Sequence, residues 1–316
     1  MTEHYAIGMD KKHFVFDREI PPALRVGQGA TVVLDTEDAD NSLITKETDV
    51  FADFNVLYDM AGGTNPVTGP IHVDGAHPGD CLEVDILDIQ PAPWRKAGYT
   101  ALYANLGALQ DNRGGLQEPL EPRTKICAVR DGVIHFATHD GSRVIHIPAD
   151  PFIGTIGVAP REDRCSAGKM GQDFCGNVDI PAFRAGSTVV LPVNVEGALL
   201  SLGDVHACQG DGEITGCALE CQARVTIRVR AVRAGDVFYG AWPQWRDERY
   251  LGVVVPLGYA NYTEAMKIGY TELVGIMARG YGFDRLDAYQ LLNLAGEVRV
   301  GSEYSCLCRI DRKFLW

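Results

Sequence analysis

Ten residues, Cys221-Gln222-Ala223-Arg224-Val225-Thr226-Ile227-Arg228-Val229-Arg230, alternate small or apolar side chains with polar or basic ones. A period of two is the mark of a strand with one face buried. Cys81 to Ile89 repeats the pattern with acidic residues in the polar positions. Shorter apolar runs lie at Ala30–Leu34, Val133–Phe136, Val144–Ile147 and Ser187–Val193, each beside turn residues. The middle two bracket His139-Asp140-Gly141, which reads as a hairpin turn. The 35 glycines and 16 prolines are spread along all 316 residues, so turns recur throughout. This predicts a mainly β, mostly antiparallel body.

The pattern changes near the C-terminus. Apolar residues between Thr263 and Arg279 recur at helical spacing, with Thr263 as a possible N-cap, and Gly280 to Gly282 would end that helix. Asp284 opens a second helix over Arg285–Ala295, and Cys306–Ile310 reads as a last strand. The expected fold class is therefore a two-part antiparallel β-sandwich body with a C-terminal α-helical hairpin and a final strand. The expected units are 1–150, 151–260 (carrying the active site) and 261–316, the last packed on the β body. Ile20-Pro21 through Thr31-Val32-Val33-Leu34 is echoed by Ile180-Pro181 through Thr188-Val189-Val190-Leu191, which suggests internal duplication.

Composition narrows the function. Lys plus Arg is 29 against 42 for Asp plus Glu, a formal charge of −13. Such a chain has no footprint for nucleic acid or an anionic membrane surface. Apolar runs fall far short of the ~20 residues of a membrane span, and Met1 to Tyr5 carries no basic, then apolar, leader pattern. The expectation is a cytoplasmic protein. Nine scattered cysteines, an odd number, read as reduced thiols filling small apolar sites.

The densest chemistry lies in Gly203-Asp204-Val205-His206-Ala207-Cys208-Gln209-Gly210-Asp211-Gly212-Glu213. In a strand Asp204 and His206 share a face, and a carboxylate with an imidazole makes the edge of a metal site. The glycines allow a tight turn that can return Asp211 or Glu213 to that face. Glu220 opens the next strand and can face the same space. Asn177 and Asp179 also share a face when extended, supplying oxygen ligands or a hold on a carboxamide. Asp204, Asp211 and Glu213 oppose a thiolate at Cys208, so a Cys–His enzyme is the lesser catalytic reading. No G-x-S-x-G elbow or phosphate loop is present.

These residues resemble the signature of the acetamidase/formamidase family. Pro66-Val67-Thr68-Gly69-Pro70-Ile71-His72-Val73-Asp74-Gly75-Ala76-His77-Pro78-Gly79-Asp80 resembles its first-half motif. Pro151 through Pro160 resembles its middle motif, and Gly176-Asn177-Val178-Asp179 its G-G-N-x-D motif. The order is right and the match runs from about residue 20 to the end. The resemblance implies hydrolysis of formamide or acetamide to acid and ammonia, a sandwich-like fold, a homo-oligomer and a site metal, zinc or else calcium. Matched motifs imply Asp204 and His206 as ligands, with Asn177, Asp179 and Glu220 nearby; the expected assignment is Asp204, His206 and Asp179 for the metal and Glu213, Glu220 and Asn177 for catalysis. In that scheme one glutamate acts as general base and Asn177 holds the carboxamide or the oxyanion. The chain departs from the pattern at Cys175, where the family has glycine, and at Asn65, where a histidine often stands. Both changes fall near the expected pocket. The rival readings are a metal-dependent hydrolase of a larger amide and a non-catalytic β module that binds a metal or small molecule.

Overall fold

The computed structural model describes residues 4–109, 120–233, 240–257, 262–302 and 304–315. Two large sheets dominate, and their facing sides share one apolar core. That core includes Val32, Leu34, Val84, Ile86, Val225 and Ile227 from the first sheet, and Val67, Ile71, Ile153, Leu200, Leu202 and Val205 from the second.

The first sheet has nine strands. At its centre Ala223–Val232 runs antiparallel to Cys81–Pro91 over ten paired residues. Their alternating patterns explain the match. The apolar positions of both strands face the core. On the outer face Arg228 meets Asp85 at 2.8 Å, and Arg230 meets Glu83. Arg224 pairs with Asp35 on the other flanking strand, Thr31–Thr36. The two exposed pairs, of Arg228 and Arg224, add little stability each, but a one-residue slip would oppose all three to the wrong faces. The central order is Thr31–Thr36, Ala223–Val232, Cys81–Pro91, Thr188–Pro192. Exchanging the two echoed halves leaves that order unchanged, as a duplicated unit requires.

The run beginning at Cys221 is in fact two strands. Glu220–Cys221 belongs to the second sheet and Ala223–Val232 to the first, so the chain crosses between them at Gln222. The second sheet, of twelve strands, contains the neighbours Glu220–Cys221, Leu200–His206, Phe152–Gly157 and Cys175–Asn177, in that order. Pairing is antiparallel except where His4–Ile7 joins Thr31–Thr36 and Leu24–Val26 joins Val67–Val73. The hairpin turn at His139-Asp140-Gly141 lies between Val133–Ala137 and Val144–Pro148 as expected.

The C-terminal helices are Tyr262–Tyr281 and Arg285–Ala295, and the Asp284 carboxylate caps the second by accepting from Leu286 and Asp287 N–H groups. Thr263, the expected cap, already lies within the first helix. The helices pack on strands Tyr250–Pro256 and Ser305–Asp311 around a second apolar cluster that includes Leu273, Ile276, Met277 and Leu292. Several strands carry no clear alternation in the sequence, among them Val67–Val73, Ala97–Leu102, Arg123–Arg130 and Tyr250–Pro256, and two further elements are equally hidden. Gly296–Val300 pairs with Ser305–Asp311, so the final strand is half of a hairpin. A short helix, Phe54–Ala61, is capped by Asp53 and ended by Gly62. Trp245 is a buried core residue whose Nε1 donates to the Ala182 carbonyl at 2.8 Å. Among the described residues no helix is long and apolar enough to cross a membrane.

Candidate active site

Four neighbouring strands bring the chemistry together. His206 is directly opposite Glu220, and Thr155 directly opposite Asn177. Opposed residues hold their Cβ atoms about 5 Å apart, so these side chains must meet. Asp204 lies two positions before His206 and shares its face. All six residues expected from the sequence, Asn177, Asp179, Asp204, His206, Glu213 and Glu220, line one cavity of about 360 Å³.

His206 is the hub. Its Nε2 lies 3.2 Å from Asp204 Oδ1, 3.2 Å from Glu220 Oε2 and 3.9 Å from Asp179 Oδ1. Its Nδ1 is 2.8 Å from Gln209 Oε1. Gln209 has no freedom to turn over, because its Nε2 donates to the carbonyls of Asp179 at 2.8 Å and Gly301 at 3.2 Å. Its oxygen is therefore the acceptor, and His206 Nδ1 carries a proton. In the neutral ring Nε2 is then a lone pair facing three carboxylates. In the charged ring it has one proton for three of them. Either state leaves buried negative charge unless the carboxyls themselves take up protons. Asp179 Oδ1 and Glu220 Oε2 are buried without a hydrogen-bond partner.

A cation removes this conflict. One ligand atom each from Asp179, Asp204 and His206 lie within 4.8 Å of one another, and His206, Glu213 and Glu220 form a second such group around the same imidazole. Nitrogen-to-oxygen spacings of 3.2 Å are near the ~3.4 Å edge of a tetrahedron with bonds of about 2.1 Å. The backing of Nδ1 by Gln209 is the usual support of a metal-ligating histidine. The donor set therefore fits a divalent cation.

Electrostatics follow from burial. Burial pushes the Glu220 carboxyl up to about 8 and the Glu213 carboxyl to about 7, in each case against the opposing pull of His206. Burial, then Glu213 and Asp204, raise Asp179 well above the usual carboxyl range. Burial also works to raise Asp204, but the His206 charge and hydrogen bonds from His206 and Thr155 outweigh it and hold this carboxyl low. Burial disfavours a charged His206, yet Glu220 and Asp204 raise it well above its ordinary value.

A stability prediction follows. Folded Glu213 and Glu220 keep protons that the unfolded chain gives up above about pH 4.5. Their contribution is complete below that pH and is lost as pH rises through about 7 and 8. The raised His206 acts in the same direction. Metal-free protein should therefore be more stable at about pH 5.5 than at about pH 8.5, by on the order of a few kcal/mol. Chemical denaturation at the two pH values checks this; equal stability contradicts the raised carboxyls.

Asn65, near the pocket as expected, and Thr155, which the sequence did not single out, hold the Asp204 carboxylate from behind. Asn65 Nδ2 donates to Asp204 Oδ2 at 2.8 Å and to Asn177 Oδ1 at 2.7 Å, and the Thr155 hydroxyl donates to Asp204 Oδ2 at 2.9 Å. With Asn177 Oδ1 so engaged, its amide hydrogens are left for the cavity. A Cβ at Gly154 would lie 2.7 Å from the Asp204 carbonyl oxygen and 2.8 Å from both Asp179 Oδ1 and Asp204 Oδ2, so only glycine admits these carboxylates. Cys175 is buried with φ +74°, a conformation that favours the glycine usual in the family motif.

The turn after His206 sorts the remaining candidates. Glu213, at φ +43°, returns to the cavity, half-buried. Asp211 does not: it forms a two-pronged ion pair with Arg299 at 2.7 and 2.8 Å, tying the turn to the C-terminal hairpin. Cys208 lines an adjoining, largely apolar cavity of about 270 Å³ with Ile134, Phe136 and Ile147, and burial raises its thiol pKa. His72 and His77 pair with Asp74 and Glu196 and lie outside the active cavity.

The fold is shared with solved structures of acetamidases. The acetamidase/formamidase family model matches residues 3–169 and 163–302, and the chain belongs to that family. The two-segment match fits the duplicated arrangement. A putative formamidase of Schizosaccharomyces pombe is 27% identical over 268 residues, covering 69% of this chain and 63% of that protein. An acetamidase of Mycolicibacterium smegmatis is 31% identical over 230 residues, covering 55% of each chain. The match thus spans less than two thirds of these relatives' own lengths. The crystal structure of an acetamidase from Yersinia enterocolitica superposes with a TM-score of 0.89 at 27% identity, covering 100% of this chain and 94% of that one.

Proposed function

We propose that the protein hydrolyses a small aliphatic amide of the formamide or acetamide type to carboxylate and ammonia. The observation that carries this reading is the His206 hub, a lone imidazole nitrogen among three buried carboxylates that together suit a cation. Asp204, His206 and Asp179 are the ligand set, with Glu220 beside them, and the imidazole favours zinc over calcium. The bound metal would supply Lewis-acid polarisation of the carbonyl and a more acidic water.

The chain's own groups do the rest. Glu220 is fixed between His206 and the Ala218 N–H, which its Oε1 accepts at 2.8 Å, so it belongs with the ligands. Glu213, brought back to the cavity by the turn and half-buried there, is the proton carrier. It takes a proton from the attacking water as the C–O bond forms, then passes it to the amide nitrogen as the C–N bond breaks. Ammonia leaves neutral, which an unprotonated amide nitrogen cannot do. The free amide hydrogens of Asn177 hold the carbonyl oxygen.

Nine unpaired cysteines suit a reducing cytoplasm. Leu286, Tyr289 and Leu294 leave apolar surface exposed on the last helix, in keeping with a homo-oligomer. The test is ammonia release from formamide, acetamide and longer amides, with metal content measured before and after chelation. About one metal per chain is expected, with activity lost on chelation and restored by one metal. Turnover that survives complete metal removal would overturn the reading, and metal without turnover would leave a binding module.

A further inference from the structure

One carboxylate in the cavity has no part in the hub. Asp40 follows strand Thr31–Thr36 and is 4% exposed. Its Oδ2 accepts the hydroxyls of Tyr99 at 2.7 Å and Tyr103 at 3.1 Å. The Asp40 N–H in turn donates to the Tyr99 oxygen at 3.2 Å, so the tyrosine and the aspartate hold each other in place. Both phenols are buried and pushed well above their usual pKa, so both remain donors. Oδ1 accepts no hydrogen bond among the described residues, and the side chain lines the active cavity beside Phe54, Tyr103 and Cys217.

The hydrogen-bonding inventory shows what Oδ1 is for. A primary carboxamide presents one acceptor oxygen and two N–H donors. Asn177 can serve the oxygen. The carboxylates around His206 converge on one point and are committed to a cation, and Glu213 must be free to move a proton. The N–H donors need an acceptor that is fixed in position and not otherwise used. We propose that Asp40 is that acceptor, a substrate-binding residue that takes an N–H of the scissile carboxamide and selects amides over esters. This rests on the amide-hydrolysis reading above. Tyr99 is the positioning residue. A site built to receive an N–H discriminates strongly against an analogue that lacks it, because the buried acceptor is then left unpaired.

The test compares acetamide with methyl acetate on metal-loaded parent protein, Asp40→Asn and Tyr99→Phe. Turnover is measured where it occurs, and equilibrium binding by ligand-observed NMR. Asp40→Asn should lower kcat/KM and affinity for acetamide about ten- to hundredfold, and methyl acetate about threefold or less, with metal content unchanged. Tyr99→Phe should lower the amide-to-ester ratio in the same direction by a smaller factor. Equal losses for both ligands, or an unchanged ratio in both variants, would overturn the assignment. A parent protein that cleaves no amide defeats the hydrolysis reading, while the binding contrast still decides the role of Asp40.

Discussion

His206→Ala should lose the metal and cut amide turnover by roughly a thousandfold or more. The imidazole nitrogen is the shared vertex of both candidate ligand groups. Losing several kcal/mol of transition-state charge stabilisation is worth about that factor. A second effect separates this from simple damage. Without the imidazole, Asp204 and Glu220 are buried carboxylates with no positive neighbour at 3.2 Å. They must bind protons or repel one another, and removing one partner of a buried charge pair costs about 3–5 kcal/mol. That penalty should shrink at low pH, where the carboxylates are protonated. Gln209→Ala gives the graded control. It keeps every ligand and removes the acceptor behind Nδ1, together with the two hydrogen bonds to the Asp179 and Gly301 carbonyls, so a ten- to hundredfold loss of metal affinity is expected. Metal analysis, ammonia release and denaturation across pH measure all three quantities. A His206→Ala protein that keeps its metal and turns over within tenfold of the parent would show that the hub is structural.

Much of the fold was readable because its causes are local. The alternation in Cys81–Ile89 and in the run after Cys221 identified the two central strands of the first sheet, since burial of one face imposes a period of two. Asp284 announced the last helix because a cap must precede the first turn. What the alternation could not show is that Glu220 and Ala223 lie in different sheets. A crossover changes partners without changing the pattern. Phe54–Ala61 was missed because eight residues between turn signals carry too short a helical period.

The site divides the same way. Asp204 and His206 could be paired by strand geometry alone, and the glycines of the turn allowed Glu213 to return. The identical argument applied to Asp211, which went to Arg299, because choosing between two acids in one turn depends on a strand nearly ninety residues away. Asn65, Thr155 and Asp40 were invisible for a related reason. Each reaches the cavity through long-range pairing, and in sequence each reads as an ordinary turn or strand residue. Asn65 alone carried a signal, as a departure from the family pattern. Its amide now bridges Asp204 and Asn177, a role that an imidazole could fill only with different geometry.

Glu213→Gln should lower turnover by about 10²–10⁴-fold while metal content stays at the parent level. Glu220→Gln should lose metal as well, because its Oε2 faces His206 at 3.2 Å. The contrast decides which glutamate carries the proton and which holds the cluster. The pH profile sharpens it. A general base must be ionised to act, and burial places the Glu213 carboxyl at about 7 in the metal-free protein. A bound cation favours its ionised form. Parent activity should therefore rise with pH along an acid limb at or below neutrality, and that limb should vanish in Glu213→Gln. Isosteric replacement keeps the turn at Gly212–Gly216, so a folding defect does not account for the loss. If Glu213→Gln retains near-parent turnover with the same acid limb, Glu213 is not the proton carrier. Loss of the limb in Glu220→Gln with metal still bound would assign the role to Glu220 and leave Glu213 as a wall of the cavity.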